Sequence, residues 1–143
     1  MKYTTWLKTA SIFQFITAAA HSLSFFVKPQ PKNETEKQLL DLMASYSMDL
    51  GGGFHRSMDD IVMALSACFP LLYILGGLIN LYLLSQKPGG RILKGVISIN
   101  LCIFTIAFAL FVIYTFLPPI ILSGLVFLFL VIAYFTSPKN SAV

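Results

Sequence analysis

Four long apolar runs, at residues 7–27, 58–84, 92–117 and 119–135, fix what this chain can become. A helix needs roughly 20 mainly apolar residues to cross the hydrocarbon of a bilayer, and each run meets or approaches that length. Composition points the same way. The 143 residues are 57% hydrophobic and only 11% charged, against roughly 45–50% apolar and 25% charged in soluble domains. A soluble domain of this size keeps much of its surface in water and cannot hide so much apolar area. Mean hydropathy is +0.79. The expected fold is all-α: one transmembrane domain, residues 1–143, built as a four-helix bundle in the membrane.

The breaks between runs have physical causes. Lys28-Pro29-Gln30-Pro31-Lys32 ends the first run with prolines and charge. Gln86-Lys87-Pro88-Gly89-Gly90-Arg91 reads as a tight polar turn. Pro118-Pro119 suits the first turn of a helix, so the last two runs form a short hairpin. Ser57 followed by Asp60 resembles a capping box opening the second run. The long first loop, 28–56, has its own pattern. Asn33 and Glu36 form a capping-box-like start, and Leu39, Leu42, Met43, Tyr46 and Leu50 recur at helical spacing. This spacing predicts a short amphipathic helix over 35–49, stopped by Gly51-Gly52-Gly53 and lying on the membrane or the bundle mouth.

Charge sets orientation. Lys2, Lys8, Lys87, Arg91, Lys94 and Lys139 lie on the N-terminal segment, the second loop and the C-terminal tail, without any acid. The first loop and its borders hold all six acids: Glu34, Glu36, Asp41, Asp49, Asp59 and Asp60. Positive charge stays inside, so both termini are expected in the cytoplasm and the first loop outside, in the cell (inner) membrane. Residues 1–20 also have a basic start, an apolar stretch and Ala18-Ala19-Ala20, as a signal peptide would. Gln14 and Thr17 interrupt that stretch and hydrophobicity continues to Val27, which favours a retained helix.

Polar residues inside lipid are expensive and turn inward. Ser11, Gln14, Thr17, His21, Ser24 and Lys28 form one stripe on the first run; Asp59, Met63, Ser66, Pro70, Tyr73, Gly77 and Asn80 form another on the second. Two such stripes predict a polar seam between helices, with the hydroxyl and small side chains gluing one helix to the other. His21 lies roughly 9 Å from the outer end of its run, at 1.5 Å per residue. His55, Arg56 and Asp59 gather near the same end, so His21, Ser24, His55, Arg56, Asp59 and Gln14 are the candidate binding residues. Imidazole with carboxylate can accept a proton, a cationic head or a metal. A single satisfied histidine and a local Arg56–acid pair at a helix start account for the same residues more plainly. No H-x-x-x-H or E-x-x-H spacing supports a metal. Asn80 and Asn100 are at depths that let them meet each other or Ser98, as packing hydrogen bonds. Pro70, Gly76 and Gly77 suggest a kink and close helix approach. Cys68 and Cys102 read as small buried residues.

The layout resembles small four-helix bacterial inner-membrane proteins of uncharacterised activity. The likeness rests on His21, on Arg56-Ser57-Met58-Asp59-Asp60 leading into Ala64-Leu65-Ser66, and on Gly76-Gly77-Leu78-Ile79-Asn80-Leu81. The DoxX-like and EXPERA-like families are similar in architecture only. The resemblance implies no activity.

Three functions are compatible with these patterns. One is a non-enzymatic protein binding a small amphipathic ligand, lipid or partner in an outward-facing polar pocket. Another is a membrane enzyme or redox component acting on a quinone or isoprenoid. The third is an oligomeric transporter or channel subunit. No nucleophile elbow, Walker loop or dinucleotide fingerprint occurs, so the balance is against an enzyme. No cofactor is called for. Expected partners are membrane lipid, a lipophilic small molecule, and a second copy or another membrane protein; no nucleic acid is expected. The topology is testable with single cysteines. One at position 141 should react with an impermeant maleimide only after permeabilisation, and one at position 34 in intact cells.

Overall fold

The computed structural model describes residues 2–27 and 29–138. The described residues are 81% helical and include five α-helices. They are α1 (Tyr3–Leu23), α2 (Glu34–Ser45), α3 (Met58–Gln86), α4 (Gly90–Tyr114) and α5 (Leu117–Thr136). Two three-residue strands, β1 (Ser47–Asp49) and β2 (His55–Ser57), form an antiparallel hairpin between α2 and α3. Three helices, α3, α4 and α5, are long and apolar enough to cross a membrane.

Each boundary follows from local chemistry. The α-helix of α1 ends at Leu23, earlier than its apolar run, and a 3-10 turn over Ser24–Phe26 tightens the end. Ser57 and Asp60 close a capping box at the start of α3: the Asp60 amide donates to Ser57 Oγ at 3.1 Å, and the Ser57 amide to Asp60 Oδ2 at 3.0 Å. Asn33 caps α2 by accepting from the Glu36 amide at 2.8 Å. The Glu36 carboxylate returns to the Lys32 amide, one residue before the expected partner. Between α3 and α4, Lys87 adopts a left-handed conformation (φ 46°) and Pro88 prevents the helix from continuing. Pro118 and Pro119 sit in the first turn of α5, where their missing N–H groups are not needed.

The loop helix is shorter than its apolar spacing predicts. It stops at Ser45, and Tyr46 to Asp49 are extended. The reason lies in the three glycines, which are a turn and not merely a helix stop. Gly51, Gly52 and Gly53 all have positive φ, 82°, 62° and 82°, which bends the chain back so that Ser47–Asp49 pair with His55–Ser57. Leu39 and Tyr46 do not pack on the rest of the protein, being 55% and 61% exposed. The half-buried positions of α2 are Glu36, Leu40 and Met43.

Helix α1 packs between α3 and α5, and α4 packs mainly on α5. Trp6 and Phe13 of α1 stack on Phe129 of α5, with centroids 5.8 and 5.3 Å away. Leu7, Ala10, Tyr73, Ile97, Phe104, Val126 and Leu130 are among the core residues. The most apolar stretches of α3, α4 and α5 are only 17–22% buried inside the protein, so most of their apolar surface faces outward, as it does in lipid. Cys68 and Cys102 are on these outer flanks. They are free and exposed, not buried as expected, because an apolar run in a membrane helix has an outside as apolar as its inside.

Two glycines let α3 approach its neighbours. A Cβ at Gly76 would lie 2.6 Å from Gln14 Nε2 and 2.7 Å from Phe104 Cε2; one at Gly77 would lie 2.8 Å from the Phe15 ring. Gly76→Ala should destabilise the protein by about 1–3 kcal/mol through overpacking. Gly95→Ala, with nothing within 4 Å of the added carbon, should leave stability unchanged or raised. Thermal denaturation of both variants in one detergent checks the contrast.

Candidate functional site

The two polar stripes do face each other, but their members behave differently. Ser11 and Thr17 are buried, yet they donate back to Leu7 and Phe13 carbonyls of their own helix at 2.9 and 2.7 Å. Ser22, Ser98, Ser123 and Ser137 do likewise on theirs. The hydroxyls therefore do not glue one helix to another by hydrogen bonds, contrary to expectation. Their short reach favours the carbonyl one turn back.

Amides bridge the helices instead. Asn100 Nδ2 donates to Asn80 Oδ1 at 3.0 Å, and Asn80 Nδ2 to Gln14 Oε1 at 3.0 Å. All three side chains are buried, so the chain Asn100–Asn80–Gln14 ties α4, α3 and α1 together. Asn100 meets Asn80 and not Ser98, which bonds to Lys94. Gln14 belongs to this interior network, about two helical turns from His21.

His21 also bridges helices, for a reason that lies in α3. Pro70 has no N–H, so the Ser66 carbonyl four residues earlier loses its helical donor. His21 Nε2 lies 3.2 Å from that oxygen. A carbonyl can only accept, so Nε2 carries the proton, and in the neutral ring Nδ1 remains as an acceptor. Aromatic rings surround the imidazole. Phe69 is 4.7 Å from it and Phe25 5.5 Å, centroid to centroid. From Phe69 the aromatic contacts continue to Phe111 and Tyr73, and from Tyr73 to Phe104.

Two cavities adjoin this bond. One, of about 220 Å³, is lined by His21, Thr17 and Ala20 of α1, Phe69 of α3, and Phe116, Pro118, Pro119 and Leu122 at the start of α5; Ser24 completes it. The other, of about 300 Å³, is lined by Ser24, Phe25, Val27 and Pro29, and by Asp59, Val62, Met63 and Ser66 of α3. Ser24 lines both, while His21 and Ser66 each line one, so the His21–Ser66 bond stands between them. The upper part of the α3 stripe, Asp59 and Met63, opens onto the second cavity and is not buried against α1.

The remaining candidates lie apart. His55 is exposed on β2, paired with Asp49. Arg56 Nη1 donates to the His55 carbonyl at 2.7 Å, and Arg56 lines a separate open hollow of about 370 Å³ with Asp60, Ile61 and Ala64. Among the described residues, no group of three or more His, Cys, Asp or Glu is placed to hold a metal. Phe69, Phe116, Pro118, Pro119 and Leu122 were not candidates from the sequence, where they read as ordinary apolar or turn residues. The Ser66–Pro70 spacing was the signal for the partner of His21. No family, curated protein or solved structure matches the chain.

A double-mutant cycle tests the proline account. His21→Ala should cost about 1–3 kcal/mol by stranding the Ser66 carbonyl. In a Pro70→Ala background, residue 70 supplies the missing N–H, and the same change should cost clearly less. Equal costs in both backgrounds, measured by denaturation in one detergent, would refute the assignment.

Proposed function

We propose that this is a multi-pass inner-membrane protein that binds a small amphipathic ligand at the outer end of a four-helix bundle. In this reading α1 spans the membrane with α3, α4 and α5. Its mean hydropathy is lowered by Ser11, Gln14, Thr17 and His21, but Ser11, Gln14 and Thr17 are buried, while Ile12, Ile16 and Leu23 are exposed. Both termini are cytoplasmic, because Lys2, Lys8, Lys87, Arg91 and Lys94 gather on one side with no acid beside them. The outer side then carries α2 and the hairpin. Leu39 and Leu42 of α2, with Tyr46 just after it and Leu50 and Phe54 of the hairpin, are 55–62% exposed and rest in the lipid headgroup region.

The observation that carries the binding role is the pair of cavities parted by the His21–Ser66 bond. Together they fall within the roughly 300–1,000 Å³ of ordinary small-molecule sites. The inner one is walled by rings and prolines and suits a hydrocarbon segment; the outer one has Asp59 and two serines and suits a polar head. The test uses purified protein in phosphatidylcholine nanodiscs and a fatty alcohol with a diazirine in its tail. Photolabel should appear on Phe69, Phe116 or Leu122, and Leu122→Trp should block it by filling the cavity. Labelling confined to outer-flank residues such as Leu65, Ile106 and Ile113 would sink the proposal.

A further inference from the structure

Apart from the Ser66 hydroxyl, the polar side chains around the two cavities are acceptors, and this bears on the charge of the ligand. Asp59 is the one carboxylate among the described residues that line the outer cavity, and no basic side chain is among them. Ser24 lines both cavities, and its hydroxyl proton is committed to the His21 carbonyl at 2.6 Å, which leaves its lone pairs for a ligand. His21 commits its Nε2 proton to Ser66, so the neutral imidazole has only Nδ1 to offer, again an acceptor. The Phe25 ring lines the outer cavity beside Asp59 and can add cation–π attraction. An anionic head would meet the Asp59 carboxylate with no cation to offset it among the described residues of the lining. A neutral hydroxylated head would leave that charge unanswered.

The approach to the site has the same sign. All six acids of the chain lie in the segment from Glu34 to Asp60, which leads to the cavity mouth; with Lys37 and Arg56 its formal charge is −4. Such a field raises the local concentration of cations.

Resting on the ligand pocket proposed above, we infer that the ligand is a cationic amphiphile: an ammonium head against Asp59, Phe25 and Ser24, and an aliphatic or ring segment among Phe69, Phe116, Pro118, Pro119 and Leu122. The His21–Ser66 bond marks the boundary between head and tail.

The experiment compares three photoactivatable dodecyl probes with the same diazirine tail and different heads, namely trimethylammonium, sulfate and hydroxyl. The host is the full chain in phosphatidylcholine nanodiscs, whose lipid has no net charge to bias partitioning. The trimethylammonium probe should half-saturate labelling of Phe69, Phe116 or Leu122 at a concentration about tenfold below the other two. Asp59→Asn, which keeps the side-chain shape, should abolish that preference, and Asp59→Glu should restore most of it. Phe25→Leu should weaken the trimethylammonium probe alone, by a few-fold. Equal labelling by all three probes would overturn the cation inference and leave the amphiphile site standing. Labelling by none of them inside the cavities would overturn both. A preference that survives Asp59→Asn would also overturn the inference, because the charge would then be read elsewhere.

Discussion

A carbonyl oxygen stripped of its helical donor is expensive wherever water is excluded, and that cost organises one end of this protein. Pro70 strips Ser66, and His21 supplies the replacement donor from the neighbouring helix. One bond thereby fixes the ring orientation of the histidine, draws α1 toward α3 at that level and divides the adjoining space in two. The imidazole is structural on one nitrogen and open on the other. The plain reading of a satisfied histidine and the sharper reading of a binding residue are thus compatible. They describe opposite sides of one ring.

The same economy governs the interior. Serine and threonine settle their own hydroxyls within a turn, so they add small size without linking helices. Linkage falls to three amides, and they can meet because Gly76 leaves room beside Gln14 and Phe104. A side chain at position 76 would stand where the Gln14 amide now lies. Close approach and polar pairing are therefore one feature, with glycine as its precondition.

Much of this was legible in the sequence, and the failures have specific causes. Helix starts at Asn33, Ser57 and Pro118 were readable because capping is local chemistry. The two facing stripes were readable because period 3.6 reports which face turns inward. That period does not report depth, so Gln14 was grouped with His21 although it pairs with Asn80. Nor does it see a strand of three residues. Tyr46 and Leu50 continue the helical spacing of Leu39, Leu42 and Met43, while Ser47–Asp49 actually pair across the glycine turn. The cysteines failed for a different reason, since apolar neighbours in sequence imply burial only when the solvent is water. The cavity walls were illegible because phenylalanine and proline carry no chemical signature. Only the fold brings Phe69 of α3 to the turn that precedes and opens α5.

The amide chain also sets an order of events during synthesis. Gln14 emerges early, and its partner Asn80 follows 66 residues later. At a bacterial or eukaryotic ribosome making about 5–20 residues per second, that gap is roughly 3–13 s. On the proposed topology, α1 spends this interval with a bare amide among apolar neighbours, the least comfortable state for a nascent membrane segment. Its partner arrives with α3, and Asn100 joins only once α4 has begun. On that topology the settling of α1 waits on a helix made well after it, so its insertion is coupled to that of α3.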